Sequence, residues 1–62
     1  MIMVKRAKFL KIYANVPDTL REDILVMVNQ QPYTWNTAFL EVRNNTLLGK
    51  KIIKALEEMR IL

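Results

Sequence analysis

Three lysines carry most of the chemical interest in this chain. Lys50, Lys51 and Lys54 follow Asn45 and Thr46, and Thr46 is suited to capping a helix N-terminus. A helix begun there carries these cations in its first half and Glu57 and Glu58 in its second. That order opposes the helix macrodipole, at about 0.3–1 kcal/mol per charge. Lys ahead of Glu at i, i+4 is also the weaker arrangement. Local helix stability therefore does not account for these lysines. A helix start with free N–H groups, Asn45, Thr46 and nearby ammonium groups suits a phosphate. The competing account is that the lysines are solvated, or paired with acids of a partner subunit.

The remaining charge supports an anion-binding face. Residues 1–16 carry Lys5, Arg6, Lys8 and Lys11 without an acid. Residues 17–42 set Arg21 against Asp18, Glu22, Asp23 and Glu41, and residues 43–62 are again basic. The net charge is +4. If the two ends pack together, Lys5, Lys8 and Lys11 extend the patch formed by Lys50, Lys51 and Lys54. Such a surface attracts nucleic acid or an acidic protein.

The equipment for catalysis is missing. The chain has no Ser, His or Cys, which removes the usual nucleophile–base pairs. Glu22-Asp23 and Glu57-Glu58 are sequence neighbours, so on a helix they point about 100° apart and do not converge. A phosphate-binding loop needs several glycines, and Gly49 is the single one present. The expectation is a protein that is not an enzyme and holds no metal or cofactor.

Four segments must position the lysines. In the first, from about Val4 to Ala14, Phe9, Ile12, Tyr13 and Val16 recur at helical spacing, widened by Leu10 and Ala14. It stops near Asn15 because Pro17 disfavours helix at Val16. The second opens at Asp18 or Thr19, with Glu22 placed for a capping box. Leu20, Ile24, Met27 and Val28 then follow helical spacing, although a short apolar run also suits a buried strand. Asn29 to Pro32 reads as a loop. The third segment starts at Thr34, with Trp35, Ala38, Phe39 and Val42 on one face. Asn44-Asn45 is a break. The fourth carries Leu48, Ile52, Ala55, Leu56 and Met59 as its core stripe, with Ile53 beside it.

These elements predict one small all-α domain over residues 1–62, built of three or four short helices. The alternative is α+β, with a hairpin between Ile24 and Val42 flanked by helices. Segments three and four have the outline of a helix-turn-helix, which would set Asn45, Thr46, Lys50, Lys51 and Lys54 against DNA. Tyr33, if exposed, is a candidate partner contact, while Trp35 suits the core.

Chain length decides the rest. A domain of 62 residues buries only about 60% of its unfolded surface, and it has no disulfide to help. Its apolar content is 52%, more than such an interior holds, so a homo-oligomer is expected. The longest apolar run is Ile24–Val28, far short of the ~20 residues of a membrane helix. Met1–Val4 is too short for a signal peptide, and a cytoplasmic setting is expected. Two functions fit. One is a homo-oligomeric regulator that binds nucleic acid. The other is a protein-interaction subunit, antitoxin-like in size, that docks a partner through apolar surface.

Overall fold

The computed structural model describes residues 2–62, with side chains from Lys5 onward. The side chains of the apolar stretch Met1–Val4 lie outside the described residues. Helix α1 spans Ile2–Ala14, and a short 3-10 turn covers Asp18–Leu20. Strands β1 (Ile24–Val28) and β2 (Gln31–Thr34) form an antiparallel hairpin. Helices α2 (Trp35–Arg43) and α3 (Leu47–Glu58) complete the chain. The architecture is α+β, which corrects the all-α expectation and matches its alternative. The second strand nevertheless ends at Thr34, and residues 35–43 are helical as the spacing indicated.

Local chemistry explains why residues 24–28 are a strand. Three of the five are β-branched, which suits a pleated surface. Asn29 and Gln30 follow with φ of 54° and 68°. Two central residues with positive φ make the turn whose twist matches the strands it joins. The expected loop from Asn29 to Pro32 thus shrinks to two residues, and Gln31 and Pro32 enter β2. Val28 pairs with Gln31, Met27 with Pro32, Val26 with Tyr33 and Ile24 with Thr34. The pair next to a two-residue turn is hydrogen-bonded, so Met27–Pro32 is of the non-hydrogen-bonded kind. The ladder therefore loses nothing at the proline.

An irregularity between Ile24 and Val26 gives β1 one extra residue, Leu25. Val26 and Val28 point into the core, while Met27 and Ile24 are exposed at 61% and 64%. The helical stripe read through Leu20, Ile24, Met27 and Val28 is therefore not a face of the molecule. Only Val28 of the four is buried. The expected capping box at Asp18 or Thr19 is likewise replaced by the 3-10 turn.

The segment between that turn and β1 anchors α2. The Trp35 N–H donates to the Asp23 carbonyl at 3.3 Å, and the Asn36 N–H to the Arg21 carbonyl at 3.0 Å. The Thr37 N–H donates to Thr34 Oγ1 at 3.1 Å. The first three donors of α2, which have no partner within the helix, are thereby satisfied.

The core takes Phe9 from α1, Val26 and Val28 from β1, Ala38 and Val42 from α2, and Ile52, Ile53 and Leu56 from α3. Trp35 is half-buried and stacks on Phe9, ring centroids 6.1 Å apart. Tyr13 stacks on Phe39 at 4.2 Å. Met59, expected in the stripe of α3, is exposed because the helix has already ended at Glu58. Leu56→Ala is expected to cost about 2–5 kcal/mol, and Met59→Ala less than about 1 kcal/mol. Urea denaturation checks this, and similar costs at both positions would contradict the assigned face.

Candidate nucleic-acid interface

The site is built outward from the junction of α2 and α3. The Thr46 hydroxyl accepts from the Gly49 N–H at 2.9 Å, so the capping role read from the sequence is met. The same hydroxyl donates to the Glu41 carboxylate, Oγ1 to Oε1 2.6 Å. The Thr46 N–H donates to the Glu41 carbonyl at 3.1 Å. Thr46 is therefore occupied, and a carboxylate of the chain itself lies at the start of α3. The pocket for a bound phosphate at this helix end, the expectation for Thr46, is thus already supplied with a negative group.

Gly49 explains the closeness of the two helices. A Cβ built on it would lie 2.4 Å from the Glu41 carbonyl oxygen and 3.0 Å from Val42 Cα. No side chain fits there without moving backbone. The single glycine of the chain is thus explained by packing, against a propensity cost of about 1 kcal/mol.

Arg6 completes the junction, a role that sequence reasoning missed. Its Nε donates to the Val42 carbonyl at 3.0 Å and its Nη2 to the Arg43 carbonyl at 2.8 Å. A guanidinium at a helix C-terminus meets both the orphan carbonyls and the negative end of the dipole. The only sequence signal was an Arg among lysines, whose fork can serve two acceptors at once. Arg21 was missed as well. It lies 4.3 Å over the Tyr13 ring and reaches Asp18 at 3.0 Å. Arg43 covers Phe39 at 5.5 Å, so cations and stacked aromatics form one column along α1 and α2.

The lysines themselves are exposed. Lys50, Lys51 and Lys54 lie on the solvent side of α3, and Lys8 and Lys11 on that of α1. Among the described residues, no carboxylate lies within ion-pair distance of these five. Lys5 differs, for its Nζ stands 3.8 Å from Glu57. That pair brings the start of α1 onto the flank of α3 that also carries Lys50, Lys54 and Ile53. Lys8 and Lys11 follow Lys5 at three-residue steps, each turned about 60° further around α1. The basic ends thus adjoin at Lys5 and fan apart beyond it. Asn45 is exposed, with φ of 55°, at the tip of the α2–α3 turn. Tyr33 is half-buried and packs against the core, with part of its surface open. Among the described residues, no group of three or more carboxylates is placed to hold a metal ion, and no helix is long and apolar enough to cross a membrane.

Compared with known proteins, the chain matches no family model, no curated protein and no solved structure.

Gly49→Ala is expected to destabilise the protein by about 1–3 kcal/mol, because overpacking outweighs the gain in helix propensity. A rise in the urea midpoint would contradict the close crossing of α2 and α3.

Proposed function

We propose that this chain is a non-catalytic, cytoplasmic module that binds nucleic acid through the lysines of α3, with Lys8 and Lys11 at the margin. The observation that supports this most is the exposure of Lys50, Lys51 and Lys54 with no carboxylate paired to them among the described residues. Lys50 and Lys51 lie in the first half of α3, where cations oppose the helix dipole, and exposed lysines that remain unpaired suit an external anion better than an internal role. Lysine contacts of this kind recognise the phosphate backbone and carry no sequence information. Thr46 is not a phosphate ligand in this reading, since Gly49 and Glu41 occupy its hydroxyl. Asn45, exposed at the turn, remains available to a backbone or a base edge.

A second reading has its own observation. The outer face of the hairpin is apolar, with Ile24, Met27 and Pro32 all exposed, and it suits a protein partner. The two readings differ in salt dependence. A nucleic-acid binder loses affinity steeply as salt rises, whereas an apolar contact does not.

Lys50→Gln with Lys51→Gln is expected to weaken binding to random duplex DNA uniformly across sequences. The slope of log affinity against log salt should flatten by up to about two. Fluorescence anisotropy over a salt series measures both. A parent that binds no DNA at low salt would remove the nucleic-acid reading in favour of the docking one.

A further inference from the structure

Leu47, the first residue of α3, is the most exposed large apolar residue among the described ones, at 71%. Its neighbour Leu48 packs against the core instead. A helix start favours acidic and capping residues, so nothing local accounts for a leucine held in water there. Its neighbours on the helix surface are the exposed lysines. Viewed down the axis from Leu47, Lys50 stands about 60° to one side and Lys51 about 40° to the other. Lys54 lies nearly in line with Leu47, about 10 Å further along α3. Glu58 follows on the same line at the far end. An apolar tip is thus straddled by two ammonium groups, and the acids of this helix lie at its other end.

We propose that this stripe seats α3 in the major groove of duplex DNA, with Leu47 against thymine methyl groups and Lys50 and Lys51 on the phosphates of the two opposite walls. The inference rests on the nucleic-acid reading and adds the form of nucleic acid and the residue that reads a base. Two cations about 100° apart around an apolar centre match a channel with two anionic walls and a floor that carries methyl groups. A major groove about 12 Å wide admits a helix, whereas a minor groove of about 6 Å does not. In duplex RNA the major groove is too narrow and deep for such an approach. A single strand offers one line of phosphates, and its binding draws on aromatic rings that stack on bases. Here Phe9 lies on Trp35 and Tyr13 on Phe39, within the fold. The Glu41 carboxylate, 2.6 Å from Thr46 Oγ1, makes the start of α3 a poor place for a phosphate, and an uncharged base edge meets no such repulsion. Glu58 requires the far end of α3 to tilt away from the duplex. That is the attitude of a groove-bound helix whose N-terminal residues make the base contacts.

The test compares a short duplex of mixed A·T sequence with the same duplex carrying deoxyuridine for thymidine, which lacks only the C5-methyl groups of the major groove. By fluorescence anisotropy, the parent should bind the thymine duplex about fourfold more tightly for each methyl that Leu47 covers. Leu47→Ala should bind both duplexes with nearly equal affinity. Circular dichroism checks its fold, and the comparison made with the parent does not depend on that variant. Lys50→Gln with Lys51→Gln should weaken binding to both duplexes and leave their ratio unchanged. Either separated strand should bind more weakly than the duplex. The proposal is overturned if the parent binds the two duplexes equally, if the preference survives Leu47→Ala, or if a single strand binds as tightly as the duplex. Those results leave the nucleic-acid reading standing. A parent that binds no DNA at low salt, even one that binds an acidic peptide, removes that reading and this inference with it.

Discussion

At Gly49 the backbones of α2 and α3 approach so closely that a single methyl group would meet the Glu41 carbonyl. Much of the surrounding structure follows from that contact. It sets where α3 begins, since Thr46 must cap the Gly49 N–H from one turn away. It brings the Thr46 N–H onto the last turn of α2. The four terminal carbonyls of α2 are then all bonded. Leu40 accepts from Asn44, Glu41 from Thr46, Val42 from Asn45 and Arg6, and Arg43 from Arg6. A helix end buried against a neighbour needs such partners. Here they come from the turn itself and from a residue near the other end of the chain.

Much of the helical layer was legible because its signals are local. Thr34 and Thr46 are caps, Pro17 follows the end of α1, and the apolar spacing of α2 and α3 identifies Ala38, Val42, Ile52 and Leu56 correctly. The hairpin was not legible with the same ease. Its turn is Asn-Gln without a glycine, so the strongest hairpin signal is missing. The extra residue at Leu25 breaks the two-residue alternation and sets Ile24 and Met27 on the same side. That spacing of three imitates a helix. Pro32 reads as a loop residue because the sequence does not reveal that its missing N–H faces away from β1. The lysines of α3 and their exposure were foreseeable from helical periodicity. The occupation of Thr46 by Glu41, and of Arg6 by α2, depends on contacts across the fold that no spacing encodes.

The two ionic characters of the molecule lie in different places. The exposed acids Glu22 and Asp23 stand beside β1, where the Arg21 and Asp23 carbonyls tie the chain to α2. The unpaired lysines lie on α1 and α3, where the helical layer faces solvent. The arginines are mostly spent within the fold. Arg6 serves α2, Arg21 lies on Tyr13 and bonds Asp18, and Arg43 covers Phe39. This division has a chemical basis. A planar guanidinium can serve two acceptors or lie flat on a ring, whereas an ammonium is strongly hydrated and keeps to water. Arg6 and Arg21 thus serve the fold, whereas Lys8, Lys11, Lys50, Lys51, Lys54 and also Arg60 face solvent without an ion-pair partner among the described residues.

Among the described residues, four other than glycine have positive φ: Asn29, Gln30, Asn45 and Arg60. Each lies where an element ends, and the left-handed conformation costs an ordinary residue about 1 kcal/mol or more. Asn tolerates it best, while Gln30 and Arg60 have no such excuse. Arg60 occupies the position after α3 at which helices commonly use glycine, with the Ile61 N–H returning to the Leu56 carbonyl at 2.9 Å. The chain thus spends its one glycine inside a helix and has none at its turns. Its backbone is consequently capable of a higher melting temperature than its side chains allow. That headroom lies at the punctuation of the fold rather than in its interior, so a more heat-resistant version of this protein is reachable without altering a single core residue.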